Sequence, residues 1–93
     1  MKARKFPTFG QIRHYLEGLG FTQHLWDDDG YPQHVFDHAE SGCRIILRDR
    51  PDREMIRAHE ALSVHHHLWW RGLIDDDVDI YQFLADFVAA KTV

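Results

Sequence analysis

A turn runs directly into a strand of alternating character in the stretch Gly30-Tyr31-Pro32-Gln33-His34-Val35-Phe36-Asp37-His38. Successive side chains of a strand point to opposite faces of the sheet. The two faces therefore carry His34, Phe36 and His38 on one side and Gln33, Val35 and Asp37 on the other. Imidazoles are the side chains best suited to proton transfer near neutral pH, so the uncovered face determines what this stretch does.

The residues around this stretch predict two more strands and a preceding helix. Thr8 and Gln11 have the spacing of a capping box, and apolar side chains then recur at helical spacing until Gly20. Strands are predicted over about 21–27, 33–38 and 43–48, with the turns Asp27-Asp28-Asp29-Gly30 and Ala39-Glu40-Ser41-Gly42 between them. Three consecutive strands joined by short turns indicate an antiparallel meander.

Two helices are predicted after the third strand. The first begins after Arg50-Pro51-Asp52 and ends at Gly72. Its predicted apolar side consists of Met55, Ala58, Leu62, His65, Leu68 and Trp69. Asp75 or Asp76 is expected to cap a further helix over about 76–90. The apolar face of that helix consists of Ile80, Leu84, Phe87 and Val88, with Tyr81 and Phe83 at its borders.

These elements predict an α+β fold. A three-stranded antiparallel sheet has helices packed on one face, in the order α-β-β-β-α plus an extra C-terminal helix, and its other face stays open. With 93 residues, 44% of them hydrophobic, residues 1–93 are expected to form a single domain with a core over about 8–72.

Composition limits the environment and the kind of site. Cys43 is the one cysteine of the sequence, which excludes an internal disulfide and a multi-cysteine zinc site. No apolar run approaches the roughly 20 residues that cross a bilayer, and the first residues lack the apolar core of a signal peptide. The sequence therefore predicts a cytoplasmic protein without a membrane partner, and neither a cofactor nor a metal is required.

The charge pattern leaves two interpretations open. The net charge of −4 argues against tight non-specific binding to a polyanion. Arg44, Arg48 and Arg50 nevertheless share one face of the third strand, where guanidinium groups hold phosphate well. The alternative is that the arginines of this region pair with Asp49, Asp52 and Glu54 as a solvated surface.

From about Thr8 to Gly72 the chain resembles HicA-type toxins, which are small messenger-RNA-cleaving proteins with a double-stranded-RNA-binding-like fold. The resemblance lies in Leu19-Gly20-Phe21 after an amphipathic helix, and in His34-Val35-Phe36-Asp37-His38, which is similar to the family's Gly-Ser-His-x-x-Phe-x-His segment. It implies a bacterial toxin–antitoxin protein that binds RNA, cleaves it as a metal-independent endoribonuclease, and has a cognate antitoxin as partner. Gln33 stands where the family carries its catalytic histidine.

The resemblance places the candidate catalytic residues at Gln33, His34 and His38. The candidate RNA-binding residues are the arginines that share a face of the third strand, Arg44, Arg48 and Arg50. Gln33 has no proton affinity near neutral pH, so it orients RNA or water at most. His34 replaces the missing base only if Pro32 shifts the register of the strand, since a one-residue slip exchanges the two faces. Without a slip, His34 and His38 lie with Phe36 on the core side.

Two other features leave a second function open. The run His65-His66-His67 cannot bind one metal ion as a unit, because neighbours on a helix point about 100° apart. The same geometry separates Trp69 from Trp70, and the extra C-terminal helix is expected to cover them. A tryptophan left exposed would instead indicate an interface. The competing function is therefore a catalytically inactive HicA-like interaction module, and the oligomeric state is left open.

Overall fold

The computed structural model describes residues 6–79 and 82–85. Helix α1 spans Phe9–Gly18, strands β1, β2 and β3 span Thr22–Asp28, Tyr31–His38 and Cys43–Arg48, and helix α2 spans Ala58–Trp70. The strands form one antiparallel sheet in the order β1-β2-β3, with the helices packed on one face. The predicted α+β class, element order and sheet are confirmed.

The turn between β1 and β2 fixes the register of the sheet. Asp29 and Gly30 have φ angles of 55° and 81°, as a two-residue type I′ turn requires. The Asp27 carboxylate accepts the N–H of Gly30 over 3.2 Å, which holds the turn. Pairing then runs without a bulge along both neighbours of β2. The alternation of β2 is therefore not shifted by Pro32.

Helix α1 begins and ends as the sequence predicts. The Thr8 hydroxyl accepts the Gln11 N–H over 3.2 Å, and the Gln11 amide oxygen accepts the Thr8 N–H over 2.9 Å. At the other end, Gly20 has a φ of 101°, and the Phe21 N–H reaches the Leu16 carbonyl over 3.0 Å. This Schellman ending turns the chain sharply into β1.

The core lies between the helices and one face of the sheet. Its buried members from the sheet and from α1 are Phe36, Cys43, Ile45, Leu47, Phe9, Ile12 and Leu16. Helix α2 adds Ala61, Val64 and Leu68. Burial raises the pKa of the Cys43 thiol, as expected of a small core residue. The covered face of the sheet is therefore the one that holds Phe36.

The second helix begins later than predicted, and the predicted start was wrong. Residues 51–57 are extended or turning and pair with the chain just before α1. Met55 forms a β-bridge with Thr8, and the Ile56 N–H donates to the Pro7 carbonyl over 3.0 Å. These backbone bonds compete with a helical turn, so α2 starts only at Ala58.

The predicted apolar side of α2 was also wrong in most positions. Leu68 is buried and His65 partly buried, but Met55, Ala58, Leu62 and Trp69 are exposed. Apolar residues of this helix are not confined to one side, because Trp70 lies opposite Ala61, so their spacing alone does not select a face. The side of α2 that carries Ala61, Val64 and Leu68 is the one buried in the core.

The expected cap of the C-terminal helix is displaced. Residues 75–79 are not helical, whereas residues 82–85 are, and the Asp79 carboxylate accepts the Gln82 N–H over 2.8 Å. Asp79 therefore takes the capping role expected of Asp75 or Asp76. Leu84 is buried as predicted, but Phe83 is buried too instead of lying at a border. Ile80, Tyr81, Phe87 and Val88 lie outside the described residues.

None of the described helices combines the length and the apolarity that a membrane span requires.

Candidate nucleic-acid interface

The uncovered face of the sheet, here called the open face, presents three rows of side chains that the register aligns across the strands. The rows are Thr22, Asp37 and Arg44; His24, Val35 and Ile46; and Trp26, Gln33 and Arg48. Tyr31 lies on the same face of β2, two residues before Gln33. Residues from three strands therefore meet on one surface that no described helix covers.

The centre of the open face is apolar and closed to water. Val35 is only 2% exposed, although it lies outside the hydrophobic core cluster. Its partners across the strands are His24 and Ile46, and Ile46 and the nearby Trp26 are exposed. Exposed aromatic side chains around a small apolar centre are typical of binding surfaces.

The two arginines of the open face are held by carboxylates. Arg44 donates to both Asp37 oxygens, over 2.7 and 3.3 Å, and Arg48 donates to Glu54 over 3.3 Å. The hydrogen bond from Arg44 lowers the pKa of the Asp37 carboxyl, and the nearby His24 adds to this effect. Both arginine side chains remain more than 60% exposed. Exposed ion pairs are weak, so a phosphate group can take the place of these carboxylates.

Arg50 does not belong to this surface, and its predicted place beside Arg44 and Arg48 was wrong. Its side chain is 3% exposed and forms a two-pronged ion pair with Glu60 of α2. The guanidinium also lies over the Phe9 ring, 5.7 Å from its centre. β3 ends at Arg48, so the alternation of the strand does not extend to Arg50.

A shallow cleft of about 520 Å³ opens at the end of the open face. It is lined by Tyr31, Pro32, Gln33, Arg48 and Asp49. Gln33 therefore borders a space that a ligand can enter. Its amide can donate and accept hydrogen bonds but cannot take up a proton.

His34 lies on the opposite, covered face and has both ring nitrogens engaged. Nε2 contacts the Gln23 amide oxygen at 2.8 Å, and Nδ1 contacts the Asp49 carboxylate at 3.3 Å. The ring stacks on Phe36 at 5.0 Å and meets the edge of Phe9 at 5.3 Å. The Gln23 amide oxygen also accepts from Arg13, so the histidine joins a polar network beneath the sheet.

His38 lies on the same covered side and organises the turn between β2 and β3. Its Nδ1 accepts the Ser41 backbone N–H over 3.2 Å and contacts the Ser41 hydroxyl at 2.8 Å. Its ring packs against Phe21. The structure therefore separates the three candidate catalytic residues, with Gln33 on the open face and both histidines beneath the sheet, and their catalytic role stays a prediction.

Sequence reasoning missed His24 as part of this surface. His24 is exposed, pairs with Val35 across the strands and lies close enough to Asp37 to lower its pKa. It is the one histidine on the open face among the described residues. The alternation of β1 groups His24 with Trp26, but only the exact two-residue turn aligns both with Gln33 and Val35.

The histidine run on α2 has a structural role at its first member. His65 contacts the Val78 carbonyl at 2.7 Å and packs against Phe83, so it fixes the chain after α2. His66 and His67 point outward. Within residues 6–79 and 82–85, no group of three or more His, Cys, Asp or Glu side chains is placed to hold a metal ion.

Comparison with known proteins gives no match to a family model, to a curated protein or to a solved structure. The chemistry of the open face therefore has to be judged from its own side chains.

Proposed function

We propose that the open face binds single-stranded RNA. The observation that carries this proposal is the placement of two exposed aromatic rings, Trp26 and Tyr31, beside Gln33 and the exposed guanidinium groups of Arg44 and Arg48. Aromatic rings on an open antiparallel sheet stack unpaired bases, an amide hydrogen-bonds their edges, and arginines bind the phosphates between them.

The charge of the chain favours a particular mode of binding. With a net charge of −4, the protein attracts RNA weakly at long range, and both arginines must exchange a carboxylate for a phosphate. Stacking on Trp26 and Tyr31 then supplies most of the affinity. Double-stranded RNA fits poorly, because its bases are already stacked on one another.

The proposal covers binding and not cleavage. Gln33 cannot act as a base, and His34 and His38 lie beneath the sheet with protein partners of their own. Catalysis on the open face would have to use His24, the imidazole that the register places there. The resemblance to HicA-type toxins supports RNA as the ligand, and it extends the proposal to a bacterial cytoplasmic setting with a cognate antitoxin that competes for the same face.

Charge reversal on the open face tests RNA as the ligand. Arg44→Glu with Arg48→Glu is expected to weaken binding of a fluorescein-labelled, uridine-rich oligonucleotide about 100-fold at low salt, because two charge-assisted contacts to phosphate are lost. Fluorescence anisotropy measures the affinity. The slope of log affinity against log salt should fall by about 1.4, since each phosphate contact of a single strand contributes about 0.7.

Arg57→Glu with Arg71→Glu is the charge-matched control, because both are exposed arginines at the two ends of α2, on the covered side of the sheet. It should leave the affinity within about twofold of the wild type. Equal loss of binding in both proteins would show that RNA responds to total charge only. Unchanged binding in the variant Arg44→Glu with Arg48→Glu would eliminate these two arginines as phosphate contacts.

A further inference from the structure

The outward side of α2 carries a second exposed apolar surface, remote from the open face. We call it the outer stripe; it consists of Leu62, His66, Trp69 and Trp70. Their spacing of four, seven and eight residues from Leu62 puts them on one side of the helix. Leu62 is 53% exposed and Trp70 69% exposed, whereas the opposite side of the same helix packs on the sheet.

The rings of the outer stripe are held in place before any partner arrives. His66 stacks on Trp70 with ring centres 6.2 Å apart, and Trp69 lies 6.3 Å from Trp70. The Trp69 indole N–H donates to the Asp76 carboxylate over 3.0 Å. Rigid aromatic anchors lose little conformational entropy on binding, and they are enriched where most of the binding energy of an interface is concentrated.

Acidic side chains border this stripe where Trp69 meets the loop after α2, whereas Arg71 lies beside Trp70 and His66. Asp75, Asp76, Asp77 and Asp79 are all exposed, and the bond from Trp69 to Asp76 fixes this acidic loop against the stripe. Phosphate groups of RNA or of an anionic membrane are repelled by such a border. A cationic protein segment is attracted to it, and the apolar part of that segment then covers the rings.

We infer that the outer stripe and the acidic loop together bind a cationic amphipathic helix of a protein partner. The stripe extends about 12 Å along α2, from Leu62 to Trp70, at a rise of 1.5 Å per residue. Ridges of side chains spaced by four on one helix fit the grooves of another, which favours a helix over an extended strand as occupant. RNA on the open face and a protein on α2 could then be bound together.

A synthetic amphipathic helix of leucine and lysine, about 18 residues long so that it is helical in water, is the probe. Isothermal titration calorimetry with the full chain measures the affinity for this peptide. Trp70→Ala should weaken that affinity at least about tenfold, because exposed aromatic anchors dominate such interfaces. The double variant Asp75→Asn with Asp77→Asn should bind the peptide more weakly than the wild type at low salt, and about as well as the wild type at high salt. The same peptide with glutamate for every lysine should not bind.

Trp26→Ala is the matched control, since it removes an exposed tryptophan from the open face instead. It should bind the lysine peptide as the wild type does. Equal weakening by Trp26→Ala and Trp70→Ala, or equal binding of the glutamate peptide, would overturn the inference. Self-association would also overturn the inference, because a second copy of the chain would then occupy the stripe. The result would be a wild-type chain that sediments as an oligomer and is not dissociated by the peptide, together with a Trp70→Ala variant that sediments as a monomer.

Discussion

Replacing Glu60 by alanine is expected to lower the free energy of unfolding by about 3 to 5 kcal/mol, the usual cost of breaking a buried ion pair. The Arg50 side chain is 3% exposed, and its guanidinium would keep the Arg48 carbonyl at 3.1 Å and the more distant Glu54 carboxylate at 3.8 Å. Urea denaturation followed by circular dichroism measures the loss. Arg50→Met together with Glu60→Leu should recover most of it, since an apolar pair leaves no buried charge unpaired.

Glu40→Ala, in an exposed turn, is the control and should change stability by less than about 0.5 kcal/mol. A loss in Glu60→Ala as small as that in Glu40→Ala would show that Arg50 does not depend on Glu60.

The ion pair between Arg50 and Glu60 also predicts a pH dependence of stability. The hydrogen bond from Arg50 lowers the pKa of Glu60 below its ordinary value of 4.5. The contribution of the ion pair to the free energy of unfolding is therefore complete at pH values above 4.5. It is lost as the pH falls through the lower pKa that Glu60 has in the folded protein.

Removal of either aromatic ring of the open face should weaken RNA binding strongly. Trp26→Ala and Tyr31→Ala are each expected to weaken a uridine-rich oligonucleotide about 10- to 100-fold, because each stacked base contributes about 1 to 3 kcal/mol. Both side chains are exposed, so the fold should survive, and thermal unfolding checks this. Fluorescence anisotropy at constant salt gives the affinities.

Trp70→Ala is the control for this pair, because it removes an exposed tryptophan from α2 and leaves the open face intact. It should bind the oligonucleotide like the wild type. An open-face variant that binds as tightly as Trp70→Ala would contradict base stacking on the sheet.

The sheet could be predicted from the sequence because its signals are local. The capping box at Thr8, the turn at Asp29 and Gly30, and the alternation of β2 each depend on residues that are neighbours in the chain. The same alternation separates Gln33 from His34. What the strand pattern could not tell was whether Pro32 shifts the register and so brings His34 to the open face.

The wrong predictions concern contacts between distant parts of the chain. The late start of α2 follows from backbone hydrogen bonds between residues 51–57 and the chain before α1. No local sequence pattern predicts these hydrogen bonds. The burial of Arg50 depends on Glu60, ten residues away, and the exposure of Trp69 and Trp70 depends on which side of α2 meets the sheet. Tertiary packing decided each of these against the sequence pattern.

The three tryptophans of the chain report on the proposed RNA surface in a single measurement, because Trp26 lies on the open face and Trp69 and Trp70 lie on α2. Their indole N–H groups give three signals in a ¹⁵N-edited NMR spectrum of the labelled full chain. Titration with a uridine-rich single-stranded RNA is expected to shift the Trp26 signal and to leave the other two in place. Shifts confined to Trp69 and Trp70, or no shift at all, would contradict RNA binding by the open face.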